Sequence, residues 1–154
     1  MGAVTPRGGS PTGSARIVAL ACVMTACAAA WADGDGPYAL GDFSASVEAG
    51  DGACQLRLAR GESVATYRLA LPSPCALHLA ADGSPRVVKR GDGLFFLIES
   101  STPPSAGSLD CDTRIQAVRL DGFGADLAPV VERVAACPPM DWDDAVFLSQ
   151  FPVK

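Results

Sequence analysis

Apolar and polar residues alternate along most of this chain, and the alternation marks a series of short strands. In Cys54 to Arg60 (CQLRLAR), Cys54, Leu56 and Leu58 fall on one face and Gln55 and Arg57 on the other. That is the pattern of a half-buried strand. Gly61-Glu62-Ser63 turns the chain. Val64 to Leu71 is the next strand, with Tyr67, Leu69 and Leu71 inward and Arg68 outward, until Pro72-Ser73-Pro74 breaks it. Cys75 to Ala80 (CALHLA) repeats the pattern with Cys75, Leu77 and Leu79 on one face. His78 lies opposite the leucines, which points it toward solvent or a sheet edge.

Further on, Arg86 to Arg90, the turn Gly91-Asp92-Gly93 and Leu94 to Glu99 (LFFLIE) read as a hairpin. LFFLIE is apolar on both faces, which predicts a central, doubly covered strand. Tyr38 to Val47 alternates more loosely and predicts a first strand interrupted at Gly41-Asp42. Ser100 to Asp110 is a long, Pro-rich loop, of the kind that is usually mobile or functional. In Arg114 to Leu120 the apolar parity changes between Ala117 and Val118, which predicts a bulge. Leu127, Val130, Val131 and Val134 follow helical spacing behind a capping Asp126, with a strand across Val130 to Ala136 as the competing reading. After Pro138-Pro139, Asp141 can cap a last short helix whose apolar face is Trp142, Ala145, Val146 and Phe147. The elements add up to a mostly β protein. The expected fold is a small disulfide-stabilised β-sandwich or open barrel with one or two short C-terminal helices.

The first 32 residues do not belong to that pattern. Arg16 leads into IVALACVMTACAAA and then Ala30-Trp31-Ala32, with no acidic residue before Asp33. A basic start, an apolar run and small residues at a cleavage site make a signal peptide over 1–32. The apolar run, about 16 residues, is short of the roughly 20 that span a bilayer. An alternative lies inside the same run. Met24-Thr25-Ala26-Cys27 resembles a bacterial lipobox, which would place a lipid on Cys27. The rest divides into 33–52, a flexible mature N-terminus with a possible first strand, and 53–154, a single β-rich domain. Without the leader's Arg7 and Arg16, 10 basic side chains face 17 acidic ones, a net charge of −7. Such a chain is a poor phosphate binder, so nucleic acid is not an expected partner, nor is a membrane unless Cys27 is lipidated.

Four cysteines follow the leader, and an even count in a small exported domain implies disulfides. The expected pairs are Cys54 with Cys75 and Cys111 with Cys137, each closing a short loop. In a flat three-strand meander Cys54 and Cys75 would sit two strands apart, roughly 9–10 Å, too far to bridge. The first pair therefore requires the sheet to bend or Cys75 to lie in the preceding loop. Zinc needs a tight pair such as C-x-x-C, and the chain has none.

Candidate chemistry is sparse. His78 is the only histidine, so any serine or cysteine nucleophile would depend on it. Asp110 and Asp112, or Asp141 with Asp143 and Asp144, could form paired carboxylates for hydrolysis. The Asp-Gly pairs have turn chemistry, not the ligand spacing of a calcium loop. The sequence reading is an exported, periplasmic or secreted, non-catalytic protein-binding module of bacterial type, such as an inhibitor or immunity-type partner, with no cofactor and no metal. Its expected contact surface is Thr102 to Leu109, with Pro103 and Pro104, together with Trp142 and Phe147. The alternatives are a small envelope hydrolase using Asp110, Asp112 or His78, and a lipid-anchored structural envelope protein.

Overall fold

A computed structural model describes residues 36–50, 52–107 and 109–152. The expected signal peptide over 1–32, the Cys27 alternative and most of the acidic Asp33–Gly36 stretch lie outside the described residues. Four strands form one antiparallel sheet in chain order: β1 (Tyr38–Leu40), β2 (Phe43–Ala49), β3 (Cys54–Arg60) and β4 (Ser63–Arg68). The second sheet holds β5 (Ala76–Leu77), β6 (Val88–Arg90), β7 (Gly93–Thr102), β8 (Asp112–Asp121), β9 (Gly124–Leu127) and β10 (Glu132–Val134). Its order is β10-β8-β7-β5, with β6 also on β7 and β9 also on β8. One short helix, α1 (Asp144–Ser149), follows. The fold is an open β-sandwich, and no helix of the described residues is long and apolar enough to cross a membrane.

The possible first strand is a hairpin, with β1 and β2 paired from Tyr38↔Ala45 to Leu40↔Phe43 around the Gly41-Asp42 turn. The inter-sheet core follows from the alternation. Ala45, Val47, Cys54, Leu56 and Leu58 of the first sheet face Phe96, Ile98, Val118 and Leu120 of the second. The other face of the second sheet is also covered. Phe95, Leu97 and Ala117 pack with Val88, Ala128 and Phe147 of α1. A strand buried on both faces has no polar face to show, which is why LFFLIE reads as it does. The same burial corrects the predicted bulge. The β7–β8 register runs unbroken from Leu94↔Leu120 to Thr102↔Asp112, and the parity change marks a strand with two buried faces.

Other expectations shift with the structure. The loop after Glu99 begins later, because β7 continues through Thr102. The segment from Leu127 to Val134 is not helix: β9 ends at Leu127 and β10 takes up Glu132–Val134, with a short connection between them. Its apolar side chains are divided between two cores: Leu127 and Val131 pack toward the inter-sheet core, and Ala128 toward the α1 side. Its backbone is bonded to β8, with Ala128 N donating to Ala117 O at 2.9 Å, so the strand competitor wins on tertiary pairing. The cap of α1 is Asp143, whose carboxylate accepts from Val146 N at 3.2 Å, and not Asp141.

Both expected disulfides form, with Cα separations of 6.2 Å for Cys54–Cys75 and 4.9 Å for Cys111–Cys137. The meander that made the first pair look too distant does not exist. β5 belongs to the second sheet, paired with β7, and Cys75 sits in the crossing segment just ahead of it. That bridge ties β3 to the crossover between the sheets. The second bridge joins the start of β8 to the chain just past its neighbour β10. Two disulfides are consistent with an oxidising compartment.

Candidate functional site

His78 continues the β5 ladder by one residue, its N–H donating to Leu97 O at 2.9 Å. Leu77 faces the inter-sheet core, so His78 faces the α1 side. There it is buried, only 2% exposed, which corrects its reading as a surface histidine. Alternation showed the face correctly, but not that a C-terminal helix covers it. Nδ1 of His78 lies 3.4 Å from Glu99 Oε2, and the ring meets Phe147 edge-on at 6.1 Å between centroids. Arg86 stacks over Phe147 at 5.6 Å and reaches Asp141 at 2.7 Å and Asp144 at 3.0 Å. This cluster fastens α1 to the sheet. Three grooves of the described surface are lined by neither His78 nor Glu99.

Of the carboxylate candidates, Asp112, Asp141 and Asp144 are engaged in ion pairs and Asp143 caps α1. Asp112 accepts from Arg133 Nε at 2.6 Å and lies 3.8 Å from Arg114, tying β8 to β10. Asp110 lines a shallow groove with Pro103, Asp112 and Arg133, while Pro104 is exposed on the adjoining loop. Asp141 and Asp144 share Arg86, as above.

The expected contact surface is not one surface. Phe147 is 0% exposed within the α1-side core, and it is corrected here from a surface contact to a core residue. An amphipathic helix of six residues buries its central aromatic, whatever the sequence position suggests about the chain end. Trp142 is half-buried against the same core, with a buried Nε1 lacking a hydrogen-bond partner. Phe147 packs on β7 near Leu97, five residues or ~17 Å along the strand from Thr102. Pro103 and Pro104 are therefore not brought together with Phe147.

A different exposed feature stands out: the turn between β8 and β9. Phe123 at its tip is 103% exposed. The turn that carries it is fixed from several sides. Asp121 Oδ1 accepts from Phe123 N at 2.8 Å and from Gly124 N at 3.2 Å. Arg60 donates to Gly122 O at 2.7 Å, and Ala125 N donates to the Tyr67 hydroxyl at 3.3 Å. Gly124 has φ +154°, and a Cβ there would come within 2.9 Å of the Tyr67 hydroxyl, so the position requires glycine. Beside the turn runs a groove of about 960 Å³, between the β8–β9 hairpin and the end of α1. Phe95, Leu127, Leu148 and Phe151 give it an apolar floor, and Phe123 lines its rim. The Phe95 and Phe151 rings meet edge-on at 5.4 Å. Arg119 stands in the wall, paired closely with Asp126 and more loosely with Asp121 at 3.8 Å. The sequence carries a signal for this site, because Asp121-Gly122-Phe123-Gly124 reads as a turn yet holds an aromatic. An Asp-Gly-Phe-Gly turn needs only small and polar residues, so the aromatic is not explained by the turn.

Comparison of the chain with protein-family models, with curated proteins and with solved structures gave no match.

Proposed function

We propose that the protein is an exported, disulfide-closed binding module without catalysis of its own, an inhibitor or immunity-type partner that seats an apolar segment of another protein in the groove beside Phe123. The supporting observation is Phe123 itself, a fully exposed aromatic held on a pinned turn next to an apolar floor. Aromatic anchors meeting apolar pockets carry much of the energy at protein interfaces. A turn already fixed by hydrogen bonds has little conformational entropy left to lose on binding. Export is supported by the leader pattern over 1–32 and by two disulfides suited to an oxidising compartment. The burial of His78 and the Asp112–Arg133 pair weigh against the hydrolase reading.

The test is capture of one protein from an envelope extract, followed by hydrogen exchange on the complex. Protection of Asp121 to Leu127 and Leu148 to Phe151 is expected. Protection at Pro103 and Pro104 instead would contradict the site, and failure to capture anything would contradict the function. N-terminal sequencing of the same preparation should begin at Asp33. A start at Cys27 would replace soluble export with a lipid anchor.

A further inference from the structure

Every sheet has edges, and an exposed edge invites pairing unless it is short, charged or interrupted. Most outer strands of this fold meet that condition. β1 has three residues and follows Pro37, β5 has two and follows Pro74, and β10 has three. β6 has three, of which Lys89 and Arg90 are charged, and β9 is followed closely by Pro129. β4 is the exception. It closes one side of the first sheet, runs six residues, and carries no charge, proline or glycine from Ser63 to Tyr67. Its register on β3 is continuous from Arg60↔Ser63 to Gln55↔Arg68, with no bulge to bend it away. All its residues but Tyr67 are exposed, Val64 by 51%.

The unpaired backbone groups can be placed. Leu69 N donates to Cys54 O at 2.8 Å, which puts Leu69 on the bonded side of the ladder, while Cys54 N donates past it to Leu71 O at 3.1 Å, an irregularity that lies beyond the end of β4. Bonded and non-bonded pairs alternate along an antiparallel ladder. Tyr67, Ala65 and Ser63 therefore bond to β3, and the N–H and C=O groups of Val64, Thr66 and Arg68 point outward.

We infer that β4 pairs antiparallel with β4 of a second copy about a two-fold axis at Ala65, joining two four-stranded sheets into one of eight strands. The register follows from charge and shape. Centring on Ala65 brings Glu62, in the turn just ahead of β4, beside Arg68 at the far end of β4 of the second copy, and by symmetry the reverse. It sets Val64 opposite Thr66, two β-branched side chains on the outer face, and places small Ala65 against itself at the axis. Opposite charges directly across a strand pair are favourable and like charges are not. No like charges meet in this register. Among the described residues neither Glu62 nor Arg68 makes an ion pair within the chain. The contact is small, and the dimer forms by mass action as concentration rises.

Sedimentation velocity over a wide concentration range tests this on the purified protein. A monomer–dimer equilibrium is expected. Glu62→Arg and Arg68→Glu should each weaken it at least tenfold, and the double reversal should restore it to within about threefold, all three with unchanged melting. A monomer at every concentration would overturn the proposal. So would a dimer indifferent to both single reversals, or one that the double reversal does not rescue.

Discussion

Two phenylalanines show how differently one residue type is used. Phe147 sits at 0% exposure between β7, His78 and Arg86, and Phe123 stands wholly in solvent. Removing a buried Phe loses its transfer energy and leaves a cavity, about 3–5 kcal/mol in all. Phe147→Ala should therefore lower stability by that amount in a urea melt. Phe123→Ala removes no buried contact and should stay within about 0.5 kcal/mol of the parent. Equal losses would contradict the assignment of core and surface. The sequence showed each role only in part: Phe147 falls on the apolar face of a short helix, and Phe123 is an aromatic that its turn does not require. A period of two tells which way a side chain points along a strand, but not what covers it, and so His78 was legible in direction and not in burial. Glu99, its neighbour at 3.4 Å, read simply as the end of an apolar run.

At the scale of elements, β3, the β6–β7 hairpin and α1 were legible, because each has clean periodicity bounded by turn residues or a cap. What was not legible was membership. β5 looks like the third strand of a meander, and only the Pro72–Pro74 crossing places it in the other sheet. β9 and β10 carried helical spacing, but tertiary pairing with β8 decides them. The Cys111–Cys137 bridge encloses β8, β9 and β10 and excludes α1, which is held by Phe147, by Arg86 and by Gln150, whose side chain accepts from Ala117 N at 2.7 Å. Replacing both cysteines with serine should cost about 2–5 kcal/mol. Hydrogen exchange should then quicken first at Glu132–Val134, an edge strand of three residues, while Phe96 and Leu97 stay protected. Earlier exchange in Phe96 and Leu97 would contradict this order.

Across the whole molecule, the second sheet is the common wall of two cores. One side meets the first sheet and the other meets the C-terminal segment with α1. Gln116 stitches these parts together from inside: its side chain accepts from Ala70 N at 2.9 Å and donates to Ala128 O at 2.9 Å, so its buried amide is satisfied at both ends. With the cysteine crossing and this amide fixing the layers, the β8–β9 turn is displayed from a rigid body, and the account of function rests on that display. The most direct test is the affinity of the captured partner for the parent protein and for Phe123→Ser, each checked for an unchanged melting temperature. A loss of tenfold or more with stability intact is the predicted result, since a central aromatic anchor contributes more than about 1 kcal/mol to binding. Equal affinity for the two would contradict the account.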